Sequence, residues 1–135
     1  GWTWQLVRRQ LRVTAVDNGA MAPAVLASGL VTHLRADGFR FRPPRPVDWM
    51  VCDIVEKPAR IADLAAAWIA QGWCRHTIFN LKLPMKKRYQ TVQQCLNHLR
   101  GRLAAAGVKY RLACRQLYHD REEVTVYLTR DGGAL

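Results

Sequence analysis

Three charged residues stand at the ends of apolar runs whose composition is typical of β-strands. Asp53 follows the run WMVC, Lys82 follows FNL, and Glu123 precedes VTV. Open α/β sheets bind their ligands outside the carboxyl ends of their strands. An acid, a base and an acid delivered to strand ends therefore indicate chemistry rather than packing.

Strands and helices alternate along the rest of the chain. Five apolar residues from Ile61 to Ile69 recur at helical spacing, and Gly107 is a plausible C′ glycine for a later helix. The predicted strands are residues 12–16, 31–34, 47–54, 77–83, 109–117 and 123–129, of which 47–54 is expected to be buried. The predicted helices are residues 21–28, 59–71 and 89–106, after a first helix at the start of the chain.

This alternation predicts an α/β fold, a Rossmann-like sheet with helices on both faces. The last two strands are expected to form an antiparallel hairpin, because no crossover helix fits between them. With 135 residues, of which 50% are hydrophobic, the chain is long enough for one domain with its own core. We therefore predict one domain over residues 1–135.

The charge of the chain is strongly positive. The sequence has 21 Lys and Arg residues against 10 Asp and Glu, a net charge of +11. Such a field favours a polyanion, and RNA or DNA is the partner we expect, with an inert basic surface as the alternative.

The cysteines and histidines do not indicate a metal site. Cys52, Cys74, Cys95 and Cys114 are far apart, with no pair at zinc-ligand spacing, and the four histidines share no such spacing either. No signal peptide and no apolar stretch of ~20 residues is found. The sequence predicts a cytoplasmic protein with reduced thiols, no metal and no membrane partner; its oligomeric state is left open, with a monomer preferred.

Five segments together resemble a known family. They are VDNG at 16–19, RADGF at 35–39, VCDIVEKP at 51–58, FNLKLPMKKRY at 79–89 and RQLYHDREEV at 115–124. They are similar to the FtsJ-like ribose 2′-O-methyltransferases, and within that group to the bacterial enzymes that methylate a cytidine of large-subunit (23S) ribosomal RNA. The resemblance implies S-adenosylmethionine as cofactor and ribosomal RNA as substrate.

The resemblance also implies roles for individual residues. Asp17 would bind the cofactor's ribose, and Asp37 would lie beside its adenine. Asp53, Lys82 and Glu123 match three members of the family's Lys-Asp-Lys-Glu tetrad, with Asp53 also counted in the cofactor site. The last acid is ambiguous between Glu122 and Glu123, and Glu123 is preferred because it directly precedes the final apolar run.

The start of the chain departs from the family pattern. The tetrad's first lysine, the glycine-rich loop and the central strand of the sheet would all lie before Gly1, which would be the last glycine of that loop. The family's RNA-binding portion, with its THUMP domain, is absent as well. We therefore expect a C-terminal fragment of the catalytic domain, with weak cofactor binding on its own.

Lys82 is the natural base for removing a proton from a ribose hydroxyl. At a reference pKa of ~10.4, holding its amine neutral at pH 7 costs about 4.6 kcal/mol, which burial and a nearby cation could supply. Carboxylates oppose this by favouring the ammonium. Asp53 and Glu123 are therefore expected to orient Lys82 and to stabilise the ammonium formed after proton transfer.

Each candidate also has a structural interpretation. Asp17 and Asp37 precede turn residues, Lys82 could extend from a strand end into solvent, and Glu123 could be a solvated acid. The segment Lys86-Lys87-Arg88 is either a solvated loop or a phosphate-binding patch, and the net charge favours the patch. Three tryptophans are expected in the core rather than on a base-stacking surface: Trp49, Trp68 and Trp73.

Three functions remain open at this point. An enzyme requires Asp53, Lys82 and Glu123 to converge, whereas a non-catalytic RNA-binding module or an inactive fragment needs only the basic surface. A nicotinamide-dependent oxidoreductase also uses a Rossmann sheet, but it gives no reason for Lys82 and Glu123. The distances between these three side chains distinguish the possibilities.

Overall fold

The structure is a computed structural model that describes residues 2–17, 19, 21–116 and 122–131. The chain divides between Arg42 and Pro43 into two compact units. Both units combine strands with helices, so the α/β class is confirmed.

The first unit holds two helices and a two-stranded parallel sheet. Its elements are α1 (Trp2–Arg8), β1 (Val13–Val16), α2 (Pro23–Leu26) and β2 (Val31–Leu34). The register places Val16 opposite Leu34, and the Asp17 amide continues the ladder by donating to the Leu34 carbonyl at 3.0 Å. Asp17 therefore lies at the carboxyl edge of this sheet.

The second unit is a four-stranded mixed sheet with two long helices. Its elements are β3 (Val47–Cys52), α3 (Pro58–Ala70), β4 (Cys74–Lys82), α4 (Arg88–Ala105), β5 (Tyr110–Arg115) and β6 (Glu123–Arg130), with strand order β3-β4-β6-β5. β3 and β4 are parallel, whereas β6 runs antiparallel to both β4 and β5. The predicted antiparallel pairing of the last two strands is confirmed.

The helices form where the local sequence favours them. Pro58 stands at the first position of α3, where its missing N–H costs nothing. Four of the five residues of the predicted stripe are buried, and Leu64 is half-buried. Both helices are followed by a glycine with positive φ, Gly72 at 72° and Gly107 at 69°. This left-handed conformation favours glycine and ends each helix as a C′ residue.

The core of the second unit lies between α3, α4 and one row of sheet side chains. Successive residues of β4 alternate between two faces, and Phe79 and Leu81 are fully buried on one of them. Helix α3 packs against both β4 and α4. The opposite row of β4, which includes Asn80 and Lys82, is the row that carries the polar network described below.

Two predictions differ from the structure. The described strands form two sheets instead of one, because β1 pairs with β2 and β3 pairs with β4, and the strand that the resemblance places at the centre is not among these six. The strand predicted over residues 47–54 is wrong in its burial, since Val47 and Trp49 are exposed and only Cys52 is buried. Among the described strands, β3 has a neighbour, β4, on one side only.

Candidate active site

The sheet register brings three charged residues together at one end of β4. Lys82 is the last residue of β4, and Glu123, the first residue of β6, lies directly opposite it. Asp53 directly follows Cys52, the last residue of the neighbouring parallel strand β3. Directly opposed residues of paired strands point to the same face, so this register delivers all three side chains to one place.

The Lys82 ammonium binds both acids. Its Nζ donates to Asp53 Oδ1 at 2.8 Å and to Glu123 Oε2. The expected convergence of the three side chains is therefore confirmed, while their catalytic roles stay a prediction. The Glu123 side chain contacts the lysine, and the Glu122 backbone carbonyl accepts from the Leu83 amide at 2.7 Å.

The two acids set the charge of Lys82. Its partial burial would by itself lower the pKa of Lys82, but its hydrogen bonds to Asp53 and Glu123 outweigh that and raise the pKa above its usual value. Burial by itself would raise the pKa of Asp53, but hydrogen bonds from Lys82 and Asn80 outweigh it and lower the pKa of that carboxyl. The cluster at rest is therefore an ammonium between carboxylates.

Asn80 is a member of this site that the sequence analysis missed. Its side chain is 3% exposed, its Nδ2 donates to Asp53 Oδ1 at 3.0 Å, and its Oδ1 accepts from Thr125 Oγ1 at 2.7 Å. Asn80 lies two residues before Lys82, on the same face of β4. A polar amide in an otherwise apolar run, at strand spacing from the lysine, was the signal that could have identified it.

The surroundings of Asp53 and of the tryptophans differ in exposure. The side chain of Asp53 is 44% exposed, because Asp53 lies beyond the last residue of β3. Trp49 was expected in the core, but it is 49% exposed on that strand and stacks on His76 with ring centroids 4.6 Å apart. Trp68 is buried as expected, and Trp73 packs edge-on against it.

The predicted phosphate-binding patch lies in the loop that follows Lys82. Lys86 and Lys87 are exposed, and Lys87 adopts a left-handed conformation with φ 56° directly before α4. The third member is used differently, because Arg88 Nε donates to the Pro84 carbonyl at 2.8 Å and thereby braces this loop. Two lysines at the active-site end of the sheet fit the patch interpretation, which stays a prediction.

The predicted cofactor residues of the first unit lie after neighbouring parallel strands. Asp17 follows β1, and its Oδ1 accepts from the Gly19 amide at 3.0 Å. Asp37 follows β2, and its Oδ1 accepts from the Phe39 amide at 2.9 Å while Oδ2 lies 3.8 Å from Arg40. Both carboxylates are exposed, and Asp37 makes more contacts with described residues of its own turn than Asp17 does. Gly1 lies outside the described residues.

The cysteine thiols have the properties of unreactive groups. All four cysteines are free, and burial raises the pKa of Cys74 to about 12. Burial also raises the pKa of Cys52, which adjoins Asp53. These two thiols are therefore protonated at neutral pH and are poor nucleophiles.

No helix in the described part of the chain is long and apolar enough to cross a membrane.

The chain is similar in sequence to known bacterial proteins. Over 128 residues, 95% of the chain, it is 66% identical to the ribosomal RNA large subunit methyltransferase M of Methylococcus capsulatus. Over all 135 residues it is 62% identical to the protein of the same name from Aromatoleum aromaticum. The chain is homologous to one segment of these methyltransferases. It spans 36% of the length of each of these two relatives.

Solved structures support the fold assignment. A fibrillarin from Aeropyrum pernix, solved with natively bound S-adenosyl-L-methionine, matches 87% of this chain and 55% of its own, with a TM-score of 0.55 and 14% identity. At that identity the likeness concerns the fold alone. The α/β fold of this chain therefore resembles the fold of this fibrillarin. No family model matches the chain.

Proposed function

We propose that this chain carries the proton-transfer site of an S-adenosylmethionine-dependent enzyme that methylates the ribose 2′-hydroxyl of a cytidine in 23S ribosomal RNA. The observation that carries the proposal is the contact of Lys82 with both Asp53 and Glu123 at the end of β4. The relatives named as ribosomal RNA methyltransferases supply the substrate class. A non-catalytic RNA-binding module would need only the basic surface, and a nicotinamide-dependent oxidoreductase would have no use for this cluster.

Lys82 is the group that would take the proton of the 2′-hydroxyl. In the free protein it is an ammonium, because its two carboxylate partners outweigh the desolvation that lowers its pKa. Before it can act, the ammonium must release its proton to solvent, which the water removed by bound RNA and the positive charge of the bound cofactor would favour. The neutral amine then accepts the hydroxyl proton, and Asp53 and Glu123 stabilise the ammonium that forms.

Asn80 and Thr125 would hold this arrangement in place. Asn80 fixes one carboxylate oxygen of Asp53 from a buried position, and Thr125 fixes Asn80. Asp53 is thereby held at the angle from which it meets the Lys82 amine. A base fixed in position lowers the barrier by orientation as well as by proton transfer.

The acidic residues of the first unit fit the nucleoside part of the cofactor. A carboxylate at the carboxyl end of a parallel strand is the acceptor that a ribose diol requires, and Asp17 is exposed at such a position. Asp37 follows the neighbouring strand and would lie toward the adenine. When bound, S-adenosylmethionine supplies a methyl group that its sulfonium already activates.

The substrate and the site of action follow from charge and similarity. A net charge of +11 favours a nucleic acid, and exposed Lys86 and Lys87 lie in the loop directly after Lys82. Phosphate contacts there would position the RNA while the active site selects the hydroxyl. Because ribosomal RNA is the substrate, we place the protein in the bacterial cytoplasm.

The test is methyl transfer with the protein expressed from its complete gene. Large-subunit ribosomal RNA from cells that lack the gene is incubated with S-adenosylmethionine labelled in its methyl group, digested to nucleosides and analysed by mass spectrometry. We expect label in 2′-O-methylcytidine. Label on a base, or no transfer to RNA by protein that binds the cofactor, would contradict the proposal.

A further inference from the structure

The most exposed large apolar side chains of the described residues belong to the segments that follow Asp53 and Lys82 in the chain. Met85 is 88% exposed, Val55 86% and Tyr89 76%, whereas the next, Trp49, is 49% exposed. Isolated exposed apolar residues are ordinary, but three such residues concentrated near one site are typical of a binding surface. We call these three residues the apolar rim.

The apolar rim belongs to the same two loops that carry the candidate active site. Val55 follows Asp53 by two residues in the loop between β3 and α3, and Met85 follows Lys82 by three residues in the loop between β4 and α4. Tyr89 lies in the first turn of α4. Because β3 and β4 are parallel neighbours, both loops leave the same edge of the sheet, and the contact between Lys82 and Asp53 joins their bases.

A groove connects these loops to α4. It is an open groove with a volume of about 640 Å³. The residues that line it include Lys82 itself, Lys57, Pro58, Pro84 and Gln94. The groove therefore offers flat apolar surfaces, a cation and a side chain that can both donate and accept hydrogen bonds.

We propose that this groove and the apolar rim bind unstacked nucleobases adjacent to the nucleotide whose ribose faces Lys82. Nucleobases have flat apolar faces that stack on aromatic side chains, and their polar edges suit an amide such as Gln94. Lys57 and Lys86 can neutralise the phosphates between those bases. Paired bases in a duplex are already stacked, so the surface selects single-stranded RNA. The identity of the RNA rests on the proposed function.

The experiment compares RNA binding by the protein from its complete gene with that of the variant Val55→Ser/Met85→Ser/Tyr89→Ser. Fluorescence anisotropy is measured with a short labelled single-stranded segment of large-subunit ribosomal RNA and with the same segment annealed to its complement. We expect the variant to bind the single strand roughly 10- to 100-fold more weakly, the loss of about one stacked base. Binding of the duplex should be unchanged.

The salt dependence identifies the kind of contact that is lost. Removing apolar side chains releases no phosphate contact, so the slope of log affinity against log salt should equal that of the wild type. Tyr89→Phe keeps the aromatic ring and should bind like the wild type. Val47→Ser is the matched control, because it exposes the same chemical change at the opposite end of β3, where Val47 is 41% exposed.

The inference is overturned if the triple variant binds single-stranded RNA as tightly as the wild type, or if Val47→Ser weakens binding equally. Failure of the proposed function gives a different result. A rim-dependent loss of RNA binding by a protein without methyl transfer would refute the reaction and leave the binding surface standing. Unchanged affinity and KM in the triple variant, with methyl transfer intact, would refute only the binding surface.

Discussion

Replacing Asn80 by alanine tests how the active-site end of the sheet is held together. The substitution removes the hydrogen bond to the Asp53 carboxylate and the one accepted from the Thr125 hydroxyl. A bond to a charged group contributes about 1.5–3 kcal/mol and a neutral one about 0.5–1.5 kcal/mol. Asp53 is half-exposed and retains its hydrogen bond from Lys82, so water can replace part of the hydrogen bond lost with Asn80. We therefore expect the free energy of unfolding to fall by about 2 kcal/mol.

Urea unfolding at neutral pH measures this loss. With a slope of ~1–3 kcal/mol/M, a loss of about 2 kcal/mol lowers the midpoint by about 1 M at an unchanged slope. Asn97→Ala is the matched control, because Asn97 is an exposed asparagine on α4 where alanine favours the helix. Combining Asn80→Ala with Thr125→Val in a double-mutant cycle isolates the bond between the two side chains. If Asn80→Ala leaves the midpoint where Asn97→Ala leaves it, Asn80 does not support the site as argued.

Three further predictions concern Lys82, pH and salt. Lys82→Ala should abolish methyl transfer but leave the cofactor affinity measured by calorimetry nearly unchanged. The kcat of the wild type should rise about tenfold per pH unit below the pKa of Lys82. If cofactor binding is lost together with activity, or if kcat does not change with pH, Lys82 is not the base. The contact between Asp53, whose pKa is lowered, and Lys82, whose pKa is raised, should stabilise the fold between pH ~3.9 and pH ~10.4. That contribution should be lost as pH falls through the depressed pKa of Asp53 or rises through the raised pKa of Lys82. In Asp53→Asn, the urea midpoint should therefore fall less steeply as the pH is lowered into the acid range. An equally steep fall in the variant and the wild type would contradict this. Neutralising Lys86, Lys87 and Arg88 should reduce the slope of log RNA affinity against log salt by up to ~2–3, and an unchanged slope would make the segment a solvated loop.

The convergence of the charged residues could be predicted from sequence because it depends on local patterns. Apolar runs of strand length place Asp53 and Lys82 at strand ends, and neighbouring parallel strands end at the same edge. Glu123 required one more step, the antiparallel return of β6 beside β4, which no local pattern specifies. Glu123 was preferred over Glu122 because it directly precedes the final apolar run, and the register of β6 gives the physical basis of that preference.

The predictions that failed depend on contacts between elements. Asn80 was overlooked because a single amide in an apolar strand gives no sign of its partners, and Thr125 is distant in sequence. Trp49 is expected in the core because tryptophan is usually buried, but whether its side of β3 is covered depends on which elements pack over it. The separation of the strands into two sheets is likewise a matter of pairing rather than of propensity.

The proposed role of Lys82 in ribose methylation is tested most directly by mapping 2′-O-methyl groups in large-subunit ribosomal RNA of the source bacterium. The map is compared for cells with the gene, cells without it, and deleted cells that express the wild type or Lys82→Ala at equal levels. We predict that one 2′-O-methylcytidine disappears on deletion, returns with the wild type and does not return with Lys82→Ala. A map unchanged by the deletion, or a methyl group restored by Lys82→Ala, would contradict the account.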